Sequence, residues 1–125
     1  MCQVEHNPPE SYGDCVRACV ATLIDRDDVP HTYDGINSMK AWADLRKYLA
    51  EHGKTLALFQ IEEPFTSMAE NNPGIAYMLL CRTAYADHAV VCRNDSIIHD
   101  PSHSQSEIVG EHSLGCWIVG IIGEL

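Results

Sequence analysis

Positive charge is scarce in this chain. Eight Lys and Arg stand against eighteen Asp and Glu in 125 residues, a formal net charge of −10. A surface this acidic repels phosphate backbones and anionic lipid, which argues against nucleic-acid and membrane partners. Long apolar runs are missing too: none approaches the ~20 residues of a membrane-spanning helix. The opening stretch, MCQVEHNPPE, has neither a basic segment nor an apolar one, so it does not read as a secretory signal. There are no internal repeats and no low-complexity tracts. The sequence has no C-x-x-C pair, the commonest zinc-finger element, and the spacing of Cys81, His88 and Cys92 is not a recurrent zinc pattern. Asp25, Asp27 and Asp28 are not followed by EF-hand spacing and read as a polar helix terminus.

Apolar residues, in contrast, make up 46% of the chain. That is enough for one domain over residues 1–125 to bury a core without staples. Six cysteines (Cys2, Cys15, Cys19, Cys81, Cys92 and Cys116) would suit a secreted disulfide scaffold. They sit mainly in apolar periodic segments, where free cysteine behaves as a small hydrophobe. The expectation is reduced thiols in a cytoplasm.

Residues 1–13 are polar and proline-bearing and read as an extended arm. From Cys15 onward Val16, Cys19, Val20, Leu23 and Ile24 fall at helical spacing, with Asp14 as the expected N-cap. The charged stretch Asp25 to Asp28 and then Pro30 end that helix. A second helix is expected from Asn37 or Ser38 to a stop at Gly53, its apolar face made by Met39, Trp42, Leu45 and Leu49. Thereafter the pattern is that of strands, at 55–61, 74–82, 88–92, 96–100 and 116–122, with Pro64 and the stretch from Asn71 to Gly74 as loop punctuation. Helices followed by an antiparallel sheet make an α+β fold. Trp42 reads as core, Trp117 as core or cleft wall, and Glu62 and Glu63 as solvated.

The chemistry turns on Cys15 and Cys19. A helix N-terminus stabilises a thiolate through its free N–H groups and its dipole, and Cys15 sits there. Cys19 is one turn further in, where the N–H groups are used in helix bonds, and reads as core. The Cys15 N–H can also face an oxyanion formed on attack. Asp14 works weakly against ionisation, since a neighbouring carboxylate disfavours a second anion. Cys15 needs a base. His6, His31, His52, His103 and His112 lie in polar or exposed segments and read as solvated. His88 opens the apolar strand HAVVC, firmly held yet reachable, and His99 precedes Asp100 and Pro101. Asp100 stands one hairpin from His88 and is the candidate to orient it.

GDCVRACVATLI, VPH, DHAVV and IIHDPS together resemble papain-like cysteine peptidases, closest to the bacteriocin-processing type. They resemble still more strongly small bacterial and phage proteins with a G-[ND]-C-x-x-A-C helix and an H-A-V-V…H-D-P hairpin. The resemblance runs from about Gln3 to Ser102. It implies a papain-like fold with Cys15 as nucleophile, His88 as general base and acid, and Asp100 as orienting group. Gln3, the one glutamine before Cys15, would help form the oxyanion hole, from further upstream than the bacteriocin-processing pattern has it. The implied enzyme is a thiol-dependent hydrolase or acyl-transfer enzyme, a cysteine peptidase or amidase. It acts on a peptide or protein, needs no cofactor or metal, and works in a cytoplasm (the host's, if phage-encoded). The sequence does not choose among peptide hydrolysis, isopeptide cleavage, deamidation and acyl transfer, nor does it fix an oligomeric state.

Strand parity sets a condition on this triad. A two-residue turn at Asn94-Asp95 would put His88 and Asp100 on opposite faces, whereas a three-residue loop from Arg93 to Asp95 would make them cross-strand partners. Two other readings stand beside the enzyme. Cys81, His88, Cys92 and His99 are metal-ligand types on neighbouring expected strands, although core packing is the simpler reading of both cysteines. A papain-like fold can also serve as a non-catalytic module that binds a host or partner factor through its acidic surface.

Overall fold

A computed structural model describes residues 14–30, 38–83, 87–99, 108–111 and 115–125. The first helix, α1 (Asp14–Ile24), buries Ala18, Cys19, Val20 and Ala21 completely. Thr22 is buried among them and donates its hydroxyl to the Ala18 carbonyl at 3.0 Å, which satisfies its polar group inside the helix. The helix stops where Asp25 turns left-handed (φ 59) and the Arg26 N–H closes on Ala21.

The second helix, α2 (Ser38–Glu51), buries Ala41, Leu45 and Leu49 at four-residue steps. That spacing centres the apolar face one position away from the expected one. Met39 is 83% exposed and belongs to no core, while Trp42 sits half-buried at the rim. Gly53, at φ 72, ends the helix as its missing Cβ allows.

Six strands form one antiparallel sheet: β1 (Lys54–Ile61), β2 (Ala76–Thr83), β3 (Asp87–Arg93), β4 (Ser96–His99), β5 (Ile108–Glu111) and β6 (Trp117–Glu124). The order across it is β1-β6-β2-β3-β4, and β5 pairs with the end of β2 after β6 has left it. The fold is therefore α+β, as expected. Two elements depart from the sequence reading. A third helix, α3 (Pro64–Asn71), occupies a stretch taken for loop, and β5 is an additional strand. Pro64 acts as a helix start, because its missing N–H would be unpaired in the first turn in any case.

The pleat sorts the core onto two faces. On one face, Met68 of α3 packs with Tyr77, Leu79, Cys81, Val90, Cys92 and Val119. On the other, α1 lays Cys19 on Met78, Leu80, Ala89 and Val91, and Val20 and Ala21 join Leu45, Leu49 and Leu56 under α2. Alternate residues of β2 and β3 thus serve opposite layers. Gly120 is where β6 passes closest to its neighbours. A Cβ there would come within 3.0 Å of Met78 Cε and 3.1 Å of Leu58 Cδ2. Among the described residues, no helix is long and apolar enough to cross a membrane.

Candidate active site

Cys15 lies in the first turn of α1, half-buried, and packs against the layer formed by Cys19, Met78, Leu80, Ala89 and Val91. Cys19, one turn on, has no exposed surface. The first-turn N–H groups of a helix lack intrahelical partners, and the dipole there favours an anion. Of the two thiols, only Cys15 combines that position with access to solvent.

The other thiols have packing environments. Cys81 and Cys92 are completely buried, and Cys116 is half-buried just before β6. Burial pushes the Cys92 thiol up to about 12, and the phenol of its cross-strand partner Tyr77 is raised by the same cause. Among the described residues, Cys15, Cys19, Cys81, Cys92 and Cys116 form no disulfide.

His88 is 7% exposed and is the second residue of β3. Its partner across the β2–β3 ladder is Cys81, in a register without irregularity from Ala76↔Arg93 to Arg82↔Asp87. Cross-strand partners share a face, so the pleat assigns His88 to the α3 side with Cys81, Val90 and Cys92. Cys15 packs on the α1 side. A Cys15–His88 pair therefore has to close around the N-terminal end of β3, where only Asp87 precedes His88 in the strand.

The β3–β4 hairpin has the shorter of the two turns considered, not the three-residue loop that the triad reading expected. Arg93 pairs with Ser96, so the turn has two residues, Asn94 and Asp95, and Asn94 takes the left-handed conformation (φ 55). Cys92 then pairs with Ile97, but Val91 pairs with His99, and Ile98 is the extra residue of a β-bulge. The bulge shifts the ladder by one residue in the direction opposite to the longer loop, so the two share strand parity but not the pairing of residues. It also brings His99 to the α1 side, opposite Val91, beside Ile98, which packs on the same layer as Cys15. Asp100 and Gln3 lie outside the described residues.

The four residues of the metal reading are divided by this register. His88, Cys81 and Cys92 belong to the α3 side, with Cys92 four ladder pairs from the others, and His99 belongs to the α1 side. Among the described residues no group of three or more His, Cys, Asp or Glu side chains could hold a metal ion. Asp25, Arg26, Asp27 and Asp28 line an open depression of about 400 Å³ at the C-terminal end of α1. It is ~15 Å along the helix from Cys15. There Arg26 forms a two-bond ion pair with Asp28, which also accepts from Tyr48 Oη at 2.9 Å, tying the end of α1 to α2.

Comparisons with protein-family models, with curated proteins and with solved structures find no match to this chain. Functional assignment rests on the residues themselves.

Proposed function

We propose that this chain is a thiol-dependent hydrolase or acyl-transfer enzyme of papain-like architecture, a cysteine peptidase in which Cys15 is the nucleophile. The observation that carries the reading is the contrast within α1. Cys15 sits half-buried at the helix start, where a thiolate is favoured, while Cys19 is sealed in the core. An α+β fold with the cysteine helix packed on an antiparallel sheet is compatible with it.

In this mechanism His88 takes the proton of Cys15, and Asp100 holds the imidazole in the tautomer that can accept it. The thiolate attacks an amide carbonyl. The oxyanion is met by the Cys15 N–H and, in the resemblance, by Gln3. His88 returns the proton to the leaving amine, and water or a second amine resolves the thioester.

A peptidyl acyloxymethyl ketone tests this directly. The enzyme gives a covalent adduct on the Cys15 peptide, lost in Cys15→Ser and after unfolding. No adduct, or equal adducts on Cys15 and Cys116, would overturn the assignment.

The binding-module reading draws on the placement of His88. The pleat sides His88 with the α3 layer, while Cys15 packs on the α1 side. That reading predicts that binding of a host or partner factor survives Cys15→Ala.

A further inference from the structure

We propose that Cys81 is a positioning residue for His88, acting as a small, unyielding floor that keeps the imidazole out of the α3-side core and turns it toward the start of β3. The inference rests on the reading of Cys15 and His88 as nucleophile and base, and it supplies what that reading lacks. The pleat by itself directs His88 away from the Cys15 layer.

Three observations support it. Cys81 and His88 are direct partners in an unbroken stretch of ladder, so their Cβ atoms are held about 5 Å apart. Cys81 has no exposed surface and is packed into the layer of Met68, Leu79, Val90 and Cys92, with Phe65, Trp117 and Ile108 against that layer. The α3-side layer beside position 88 is thus made of buried apolar residues, and in this proposal the ring turns from it toward the strand's N-terminal end. Finally, His88 is itself 7% exposed, so its ring is enclosed by packing and cannot swing freely in solvent. The side chain at 81 must be small enough to admit the ring beside it and large enough to deny it the core. Cysteine meets both demands.

Among the described residues, the other titratable groups on this side of the ladder include Cys92 and its partner Tyr77, four ladder pairs along, and Glu111 of β5, which pairs with Cys81 from its far side. Each is separated from His88 by at least one intervening residue, which leaves Cys81 as its immediate neighbour across the ladder.

The test is the pH profile of Cys15 alkylation by iodoacetamide in the full chain, read on the Cys15 peptide. Cys81→Ala opens room in the core. The ring relaxes into it, and the rate at about pH 6 falls roughly tenfold as the apparent pKa of Cys15 rises about one unit. Cys81→Val, which leaves no cavity but crowds the ring, shifts the profile in the same direction and serves if the alanine variant does not fold. Cys81→Ser, nearly the same size, keeps the wild-type profile. Cys92→Ala loosens the same layer four ladder pairs from His88 and also leaves the profile in place. A wild-type profile in folded Cys81→Ala or Cys81→Val overturns the proposal, as does an equal shift in Cys92→Ala. His88→Ala separates the two levels: if it leaves Cys15 unchanged, the base assignment itself has failed. If it removes the low-pH reactivity while the Cys81 variants do not, only the positioning role has.

Discussion

His99 stands opposite Val91, where a regular two-residue hairpin would have placed Ile98. The one-residue shift lets a tight turn at Asn94-Asp95 coexist with the strand parity that the longer loop would have provided. Tyr77 anchors this turn by donating its hydroxyl to the Asn94 carbonyl at 2.7 Å, while Asn94 Oδ1 accepts from the Gly74 N–H at 2.8 Å. Tyr77→Phe is expected to cost about 0.5–1.5 kcal/mol, the net worth of one such bond. Chemical denaturation of the two proteins measures it, and an unchanged midpoint would contradict the anchoring role.

Gly120 is expected to tolerate no branched side chain. Its Cβ position already meets Met78 and Leu58 at or just above 3.0 Å, so Gly120→Val must displace both. Overpacking of this kind costs about 1–3 kcal/mol. The readout is a lower urea midpoint at unchanged slope.

Asp28 gives a pH-dependent prediction. Its hydrogen bonds from Arg26, the larger effect, and from Tyr48 hold its carboxyl well below the ordinary 3.8. A carboxyl lowered in the folded state contributes its full stability above the unfolded value and loses it as pH falls toward the folded one. Asp28→Asn should therefore be less stable than wild type near neutrality. The gap narrows between about pH 5 and about pH 2, with a small amplitude because the cluster is exposed. A thermal-melting series across that range checks the sign.

Thiol accessibility provides a fourth prediction. In the native protein Cys15 and Cys116 should label, whereas Cys19, Cys81 and Cys92 should label only after unfolding. Cys92 is the most telling control, since burial has raised its thiol to about 12. Its modification in the folded state would mean that the α3-side core opens.

These features were legible in the sequence to differing degrees. Helical spacing from Val16 to Ile24 and the apolar runs of β2, β3 and β6 were enough for α+β, because periodicity reports burial directly. The helix over Pro64–Asn71 was hidden because it is short and opens on a proline, which also marks loops. Met39 was misassigned to the core because three-residue and four-residue steps are hard to tell apart near a helix start. At the site, the favourable position of Cys15 followed from local rules. The relation of Cys81 to His88 did not, since it depends on how two strands register, and neither residue's neighbours in sequence reveal that. The bulge at Ile98 was likewise invisible: an extra residue in one strand leaves no mark on its apolar pattern.

The account's central claim is that Cys15 is a thiolate activated by His88. The direct measurement is the pH dependence of its alkylation by iodoacetamide, followed by peptide mass spectrometry in wild type and His88→Ala. The account predicts that Cys15 reacts far faster than Cys116 at about pH 6 and that His88→Ala abolishes the advantage. Labelling of Cys15 at the rate of an ordinary thiol, indifferent to His88, would contradict it and leave the binding module as the better reading.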